Sequence, residues 1–468
     1  MFTRRIAPCL ATLALLTACG GPPTTMCSPD AGPCDSGIAQ DSGTRTDVTS
    51  PDATMMHCGT DGWVTYGHDA RRTFATDACI TGPLTMAWNY VPTVAAGTTL
   101  KAVHHAIATS DAVYLQWAAS DGPYVGTTAA DRISLTGMRV WTFDSGSDAN
   151  MADWASLWSG HVILNDDGIY ILDQMTGMRT ATTGVDWWGQ TIPSTSEFYL
   201  VNTSKSDGPG LFVAAMGDTA MTSWRQNVQG NMCGQSLADQ LGAIALDGTM
   251  LFYAADYHTG SSTMPTFPSG LYAFDTTMMG HESWRVAAMP SSAISVGNGL
   301  IYGVEGGSAL VARHQTDGSM AWTQPVSGAG VQAPVIANSR LIIATNAGIA
   351  SFDAMTGAPG WNTPLPGAVS RAYSITITNG CGGSQPLGGA VMTTLAAALG
   401  SGTLVVTTAT EVHVLSLSTG AETWHGMVPG AMGALHDPVV VGHNVYVIDS
   451  PAGLVAFGAG QLIALTGM

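Results

Sequence analysis

The sequence predicts an all-β chain folded as an eight-bladed β-propeller of four-stranded blades, its ring closed by an N-terminal strand. Three observations lead there. The first is composition: of 468 residues, 46% are hydrophobic and 10% charged, with 57 Gly and only 15 Lys+Arg. That balance suits many short buried strands joined by tight turns, and it leaves little material for helices laced by i,i+4 charge pairs. The second is a phrase at Gly270 to Trp284, in which the apolar run Leu271 to Phe274 is followed by Asp275, Gly280 and Trp284. It reads as a strand, a turn closed by the Asp side chain, a Gly suited to positive φ, and a Trp anchoring the returning strand. The third is recurrence. Gly137, Gly280, Gly318, Gly357 and Gly420 each precede a Trp by four residues: Trp141, Trp284, Trp322, Trp361 and Trp424.

Gly177 follows Ile169 to Asp173 in the same way but has Ala181 in the Trp position, and Gly217 with Trp224 marks a looser copy. The seven Gly positions step by 40, 40, 63, 38, 39 and 63 residues. A period of about 40 is one four-stranded propeller blade. The two long steps are read as blades carrying insertions, at Gly230 to Gly242 with His258 to Ser269, and at Arg371 to Gly400. Earlier strands of a unit show in Ala333 to Ala344 before Gly348 to Asp353, and in Asp437 to Ile448 before Gly453 to Phe457. That last unit lacks its Thr-Gly-x-x-x-Trp. The missing piece stands at the other end of the chain, as Thr81-Gly82 and Trp88 after Trp63 to His68. An N-terminal outer strand on the last blade would close the ring and remove two free sheet edges.

Residues 1–18 form a secretory signal: Arg4 and Arg5, an apolar body from Ile6 to Leu16, then small residues. Leu16-Thr17-Ala18-Cys19-Gly20 resembles the bacterial lipobox, which implies lipid attachment at Cys19 and, with Gly20 after it, an outer-membrane lipoprotein, facing the periplasm or the surface. Residues 19–57 are rich in Pro, Ser, Thr, Asp and Gly and are expected to be a disordered tether, with a reach of about 35 Å if coil-like. The propeller is assigned to residues 58–468. Beyond the N-terminus no apolar run reaches the length of a membrane helix.

Removing Cys9 and Cys19 leaves six cysteines, an even number in an oxidising compartment. The pairs expected are Cys27–Cys34, Cys58–Cys79 and Cys233–Cys381; metal binding is the weaker alternative, because no CxxC is present. The net charge of −18 argues against a nucleic-acid partner.

The phrase Leu-Tyr-Ala-Phe-Asp…Gly-x-x-x-Trp resembles the repeat of the pyrroloquinoline-quinone-type propellers, over roughly Trp63 to Phe457. The resemblance implies that Trp88, Trp141, Trp284, Trp322, Trp361 and Trp424 dock between blades. One branch of that superfamily holds quinoprotein dehydrogenases and another holds non-catalytic propellers, including the lipoprotein of the outer-membrane assembly machine. The dehydrogenases carry adjacent cysteines, a Ca²⁺-binding Glu/Asn/Asp set and a Trp floor. This sequence has no adjacent Cys pair and, after the signal, only five Glu. Trp187-Trp188 is read as core, His104-His105 as a loop or edge pair, and Asn165 to Gly168 as a hairpin turn. No catalytic, cofactor or metal residue is expected. The function expected is a non-enzymatic, lipid-anchored envelope scaffold or binding module, monomeric, with a protein or peptide partner and no cofactor. The alternative is a Ca²⁺-dependent quinoprotein dehydrogenase of alcohols or sugars.

Overall fold

In the computed structural model the described residues are 58–120, 127–146, 153–165, 168–183, 187–204, 210–230, 244–255, 270–288, 290–328, 332–365, 371–378, 384–391, 393–431, 435–450 and 460–467. Residues 55–468 form one compact unit. Its strands make eight four-stranded antiparallel blades, which span 99–144, 153–182, 187–230, 244–287, 295–325, 335–363, 394–427 and 435–466. They are numbered here 1 to 8. In each, the first strand lies innermost. The inner strands of successive blades adjoin one another, and that of blade 8 (Leu435–Val441) adjoins that of blade 1 (Thr99–Ala108), so the ring is closed. No helix among the described residues is long and apolar enough to cross a membrane.

Blade 8 takes its outer strand from the N-terminal side of the chain. Thr85–Tyr90 pairs antiparallel with Gln461–Thr466, as the missing repeat at the C-terminal end leads one to expect. Its partner differs from the expected one. The third strand is Gln461–Thr466, whereas Gly453 to Phe457 lies outside the described residues. Both runs are apolar, and Gln461–Thr466 pairs antiparallel with Asn444–Asp449. The closure is pinned to blade 1 by Asp131, buried and accepting hydrogen bonds from Tyr90 Oη (2.6 Å), Trp117 Nε1 (2.9 Å) and Thr142 Oγ1. The insertion expected from Arg371 to Gly400 is shorter than its Gly spacing implied. Arg371–Thr378 and Ser384–Val391 form a separate hairpin, but Thr394–Ala398 is already the inner strand of blade 7.

The third-to-fourth hairpins of blades 1, 2, 4, 5, 6 and 7 repeat a glycine at positive φ followed by a bulge. In blade 4 the Asp275 carboxylate accepts from Thr277 N (2.9 Å) and Thr277 Oγ1 (2.6 Å), and Gly280 has φ +69°. Pairing then skips a residue, Ala273 facing Trp284 and Phe274 facing Glu282, so Ser283 is bulged. A bulge turns the strand and re-aims the side chain after it. The re-aimed Trp crosses to the next blade. A side chain on Gly177 would meet Trp141 at 2.6 Å, one on Gly318 would meet Trp284 at 2.6 Å, and one on Gly357 would meet Trp322 at 2.6 Å. Gly137, Gly280, Gly420 and Gly82 lie in the same way against Trp88, Trp224, Trp361 and Trp424. The indole Nε1 donates to a carbonyl of the neighbouring turn: Trp88 to Leu135 (2.8 Å), Trp141 to Gln174 (3.2 Å), Trp284 to Gln315 (3.0 Å), Trp322 to Ala354 (3.1 Å) and Trp361 to Leu417 (2.9 Å). Blade 2 has Ala181 in place of Trp, and the turn opposite it, at Gly217, has open space.

This contrast is measurable. Gly357→Ala meets both a positive φ and the Trp322 ring, and its expected loss is about 2–4 kcal/mol in denaturant unfolding. Gly217→Ala, with nothing within 4 Å, is expected to stay within about 0.5 kcal/mol of the parent.

The turn carboxylates make stability depend on acid. Hydrogen bonds from Thr176, Thr277, Ser319 and Thr356 hold the carboxyls of Asp173, Asp275, Asp317 and Asp353 below the usual range. A carboxyl depressed in the folded state stabilises fully above the unfolded value of about 3.9, and the contribution fades as pH falls through the lower folded values. Thermal midpoints measured between about pH 5 and pH 2 should therefore fall less steeply for Asp275→Asn/Asp353→Asn than for the parent.

Candidate functional site

The centre of the ring is filled by the chain's own residues 63–76. This segment makes a circuit of the inner strands. Trp63 exchanges backbone hydrogen bonds with Ala108 of blade 1 (2.7 and 3.0 Å). The carbonyls of Val64, Ala70, Arg71, Thr73 and Phe74 accept from Leu157, Leu246, Val296, Ile336 and Ala397, in blades 2, 4, 5, 6 and 7. Blade 3 is reached through side chains, since Arg72 and Thr65 both donate to the Thr191 carbonyl. Ala75–Thr76 then runs parallel to the inner strand of blade 7 as a fifth strand. The Cys58–Cys79 disulfide closes the loop that holds the plug, and Cys79 N is tied to Gly442 O at 2.9 Å. Closing a loop of this size removes about 3 kcal/mol of freedom from the unfolded chain in the chain-entropy account.

Arg72 is the plug's anchor. It is fully buried. Its Nε donates to Ile244 O (3.1 Å), one terminal nitrogen to Thr65 Oγ1 (2.9 Å) and to Tyr66 O, and the other to Thr191 O (3.3 Å). The oxygens around the guanidinium are thus carbonyls and a hydroxyl, with Thr65, Ser156 and Thr191 continuing as a hydroxyl cluster. Burial pushes Arg72 down to about 10, so it remains a cation at neutral pH. Burial, with Asp437 nearby, pushes the Tyr66 phenol well up, and it stays neutral. Burial likewise pushes His68 down. The tight path needs left-handed backbone at three non-glycine residues, His68 (φ 80°), Arg72 (φ 59°) and Phe74 (φ 54°). Such strain, about 1 kcal/mol per residue, persists only where surrounding contacts over-determine it.

Beside the plug lies a small cavity bordered by Trp63, Tyr66, Phe74, His105, Gln332 and Asp437. His105 packs edge-on to Tyr66, with ring centroids 5.9 Å apart. His436 Nδ1 lies 3.3 Å from Asp437 Oδ2, both residues being buried. The set can hold charge and orient a proton, and no Ser, Thr, Cys or Lys is among the residues lining the cavity.

Of the residues singled out in the sequence, Cys58 and Cys79 are brought together. Cys19, Cys27, Cys34, Cys233 and Cys381 lie outside the described residues. Trp88, Trp141, Trp284, Trp322, Trp361 and Trp424 each stand against the glycine of an adjoining blade. Trp224, which the sequence marks as part of a looser copy but whose spacing of seven from Gly217 kept it out of the docking set, takes the same position on Gly280. His105 sits on the innermost strand of blade 1, an edge strand of that sheet and not a loop, because the strand runs on to Ala108 and Trp63 pairs with its end. Trp187 and Trp188 lie on the inner strand of blade 3. The Arg72 plug had no sequence signal beyond two adjacent arginines in a cation-poor chain.

Replacing Arg72 by Met strips buried carbonyls of Tyr66, Thr191 and Ile244 of a donor. The expected loss is about 3–5 kcal/mol, taking about 1–3 kcal/mol per unsatisfied group. Arg72→Lys should recover only part of it, since an ammonium cannot reproduce the fork. Amide exchange at residues 63–76 should accelerate first, ahead of the outer blade strands.

Residues 269–462, less than half of the chain, match the family model described as outer membrane protein assembly factor BamB. No curated protein matches the sequence. Among solved structures, the chain is similar to the europium-containing methanol dehydrogenase (10% identity, TM-score 0.58, 87% of this chain and 98% of that one). It is also similar to the quinohemoprotein alcohol dehydrogenase of Comamonas testosteroni (13%, 0.57, 87% and 81%). BamB of Moraxella catarrhalis aligns at 14% identity and a TM-score of 0.49 over 75% of this chain and 93% of that one. At these identities the likeness to the two dehydrogenases shows the fold alone. The repeat, the closed ring and the family match together support the pyrroloquinoline-quinone-type repeat β-propeller superfamily for this chain.

Proposed function

We propose that this protein is a non-enzymatic propeller, tethered to the bacterial outer membrane by lipid at Cys19, that serves as a scaffold for an envelope protein or peptide. The observation that carries the reading is the plug. The axis of the ring, where a small ligand would find converging strands, is occupied by residues 63–76, whose hydrogen bonds run to the inner strands around it. Arg72, the strongest donor group there, is spent on the chain's own oxygens. What remains for recognition is the outer surface. There the hairpins between third and fourth strands expose methionines, at least one in each of blades 1 to 6: Met138, Met178, Met221, Met279 and Met355 in the turns, and Met320 at the start of the fourth strand of blade 5. Methionine is soft and adaptable, and exposed runs of it suit protein partners. The family matched by residues 269–462 is named for outer-membrane protein assembly, which agrees with a partner of that class.

The test is cross-linking in native membranes followed by affinity purification. A specific envelope protein should be captured by the parent and lost with Met178→Lys/Met221→Lys, while Cys19→Ser should release the propeller from membranes. Saturable binding of pyrroloquinoline quinone with Ca²⁺, and dye-linked oxidation of alcohols, would instead support the dehydrogenase alternative and overturn this reading.

A further inference from the structure

Blade 7 carries a convergent ligand set on its outer half. Its third strand, Glu411–Ser416, pairs with its fourth, Glu422–Met427, so that His413 directly faces His425. Directly opposed residues share a face and stand close enough for their side chains to meet; here the imidazole centroids are 5.7 Å apart. Strand alternation would turn Glu422, three residues before His425, to the other face. The bulge prevents this. Val414 faces Trp424 while Leu415 faces Glu422, so Thr423 is extra and Glu422 returns to the histidine side. The carboxylate then lies between the rings, with Oε1 2.6 Å from His413 Nδ1 and Oε2 3.3 Å from His425 Nδ1. Ligand atoms of all three residues fall within 4.8 Å of one another. Glu411 adds a second carboxylate oxygen 3.7 Å from His413 Nε2, which has no hydrogen-bond partner.

Burial is graded across the set. The His413 side chain is 5% exposed, Glu422 34% and His425 58%. One ligand is therefore fixed by packing and the others stand at the surface, where an ion can enter. Two imidazoles and one carboxylate are a donor set of zinc-type ions, and three protein ligands leave a fourth position for water or an outside donor. Tetrahedral bonds of about 2.0–2.1 Å need donors about 3.3–3.4 Å apart. The His425–Glu422 pair already has that separation; His413 and Glu422 reach it by opening about 0.7 Å on exchange of the bridging proton for the ion, a rotation the partly exposed Glu can make.

We propose that His413, Glu422 and His425 bind one divalent transition-metal ion of the zinc class at the rim of blade 7. The test is calorimetric titration of Zn²⁺ into chelator-washed full-length protein, with the thermal midpoint followed in parallel. About one ion per chain should bind with micromolar or tighter affinity, and zinc should raise the midpoint. His425→Gln and Glu422→Gln remove the two surface ligands and spare the buried His413. Each should weaken binding at least tenfold and abolish the zinc-dependent rise, while zinc-free midpoints stay near the parent's. Parent protein that binds no zinc, or variants that bind it as tightly as the parent, would overturn the assignment. A zinc-free midpoint that drops as far as binding does would also overturn it, leaving a purely structural His–Glu–His hydrogen-bond cluster.

Discussion

An indole face laid on bare backbone is the contact on which this ring depends. A four-stranded blade cannot bury both of its faces, and the protein solves this by giving one residue two tasks. The indole covers apolar surface on the neighbouring blade, and its Nε1 closes a hydrogen bond to a carbonyl in the same turn. The glycine beneath is required twice over, by positive φ and by the missing Cβ. On the indole's own blade, an aromatic from the second strand packs against it at a tilt, as Phe252 does for Trp284 (40°) and Tyr302 for Trp322 (43°). Because each contact links a blade only to its successor, closure of the ring gives the Trp residues of blades 7 and 8 a glycine to rest on. Trp424 then rests on Gly82 and Trp88 on Gly137. Where blade 2 lacks its Trp, another aromatic pair bridges the gap: Trp158 of blade 2 meets Phe198 of blade 3 at 5.4 Å.

Residues 58–90 complete what the repeat begins. One stretch supplies the disulfide loop, the plug and the closing strand in succession. Filling the axis this way buries a guanidinium against carbonyl oxygens and a hydroxyl, an arrangement tolerable only because each donor is directed at a fixed oxygen. The left-handed residues His68, Arg72 and Phe74 are the conformational cost of the circuit. The hydrogen bonds to successive inner strands offset it, and they also make the plug a common element that blades 1 to 7 touch by hydrogen bond.

With the axis taken by the chain itself, chemistry and recognition move outward. The methionine-bearing turns and the His–Glu–His set of blade 7 both arise from the same hairpin that carries the docking Trp. Its bulge aims Trp424 at Gly82 and, in the same step, returns Glu422 to the face of His413 and His425. Structure and candidate chemistry are thus coupled through a single irregularity in pairing.

The sequence by itself determined the blade. Spacing of Asp, Gly and Trp within one hairpin is local, repeated and dictated by turn geometry, so the period, the blade number and the strand borrowed from the N-terminus were all legible. Trp224 was legible only as part of a looser copy because its glycine, Gly217, stands at the start of the turn and not at its end, and the last blade's third strand was missed because Gly453 to Phe457 and Gln461 to Thr466 are equally apolar. The tertiary structure alone decided the site. Arg72 meets Thr191 and Ile244 across 119 and 172 residues, and nothing periodic in Trp63 to Thr76 announces that encounter. Alternation along a strand separates Glu422 from His425, and one bulged residue reunites them. Patterns repeated between neighbours along the chain can be read from the chain; contacts created by closing a ring exist only once it has closed.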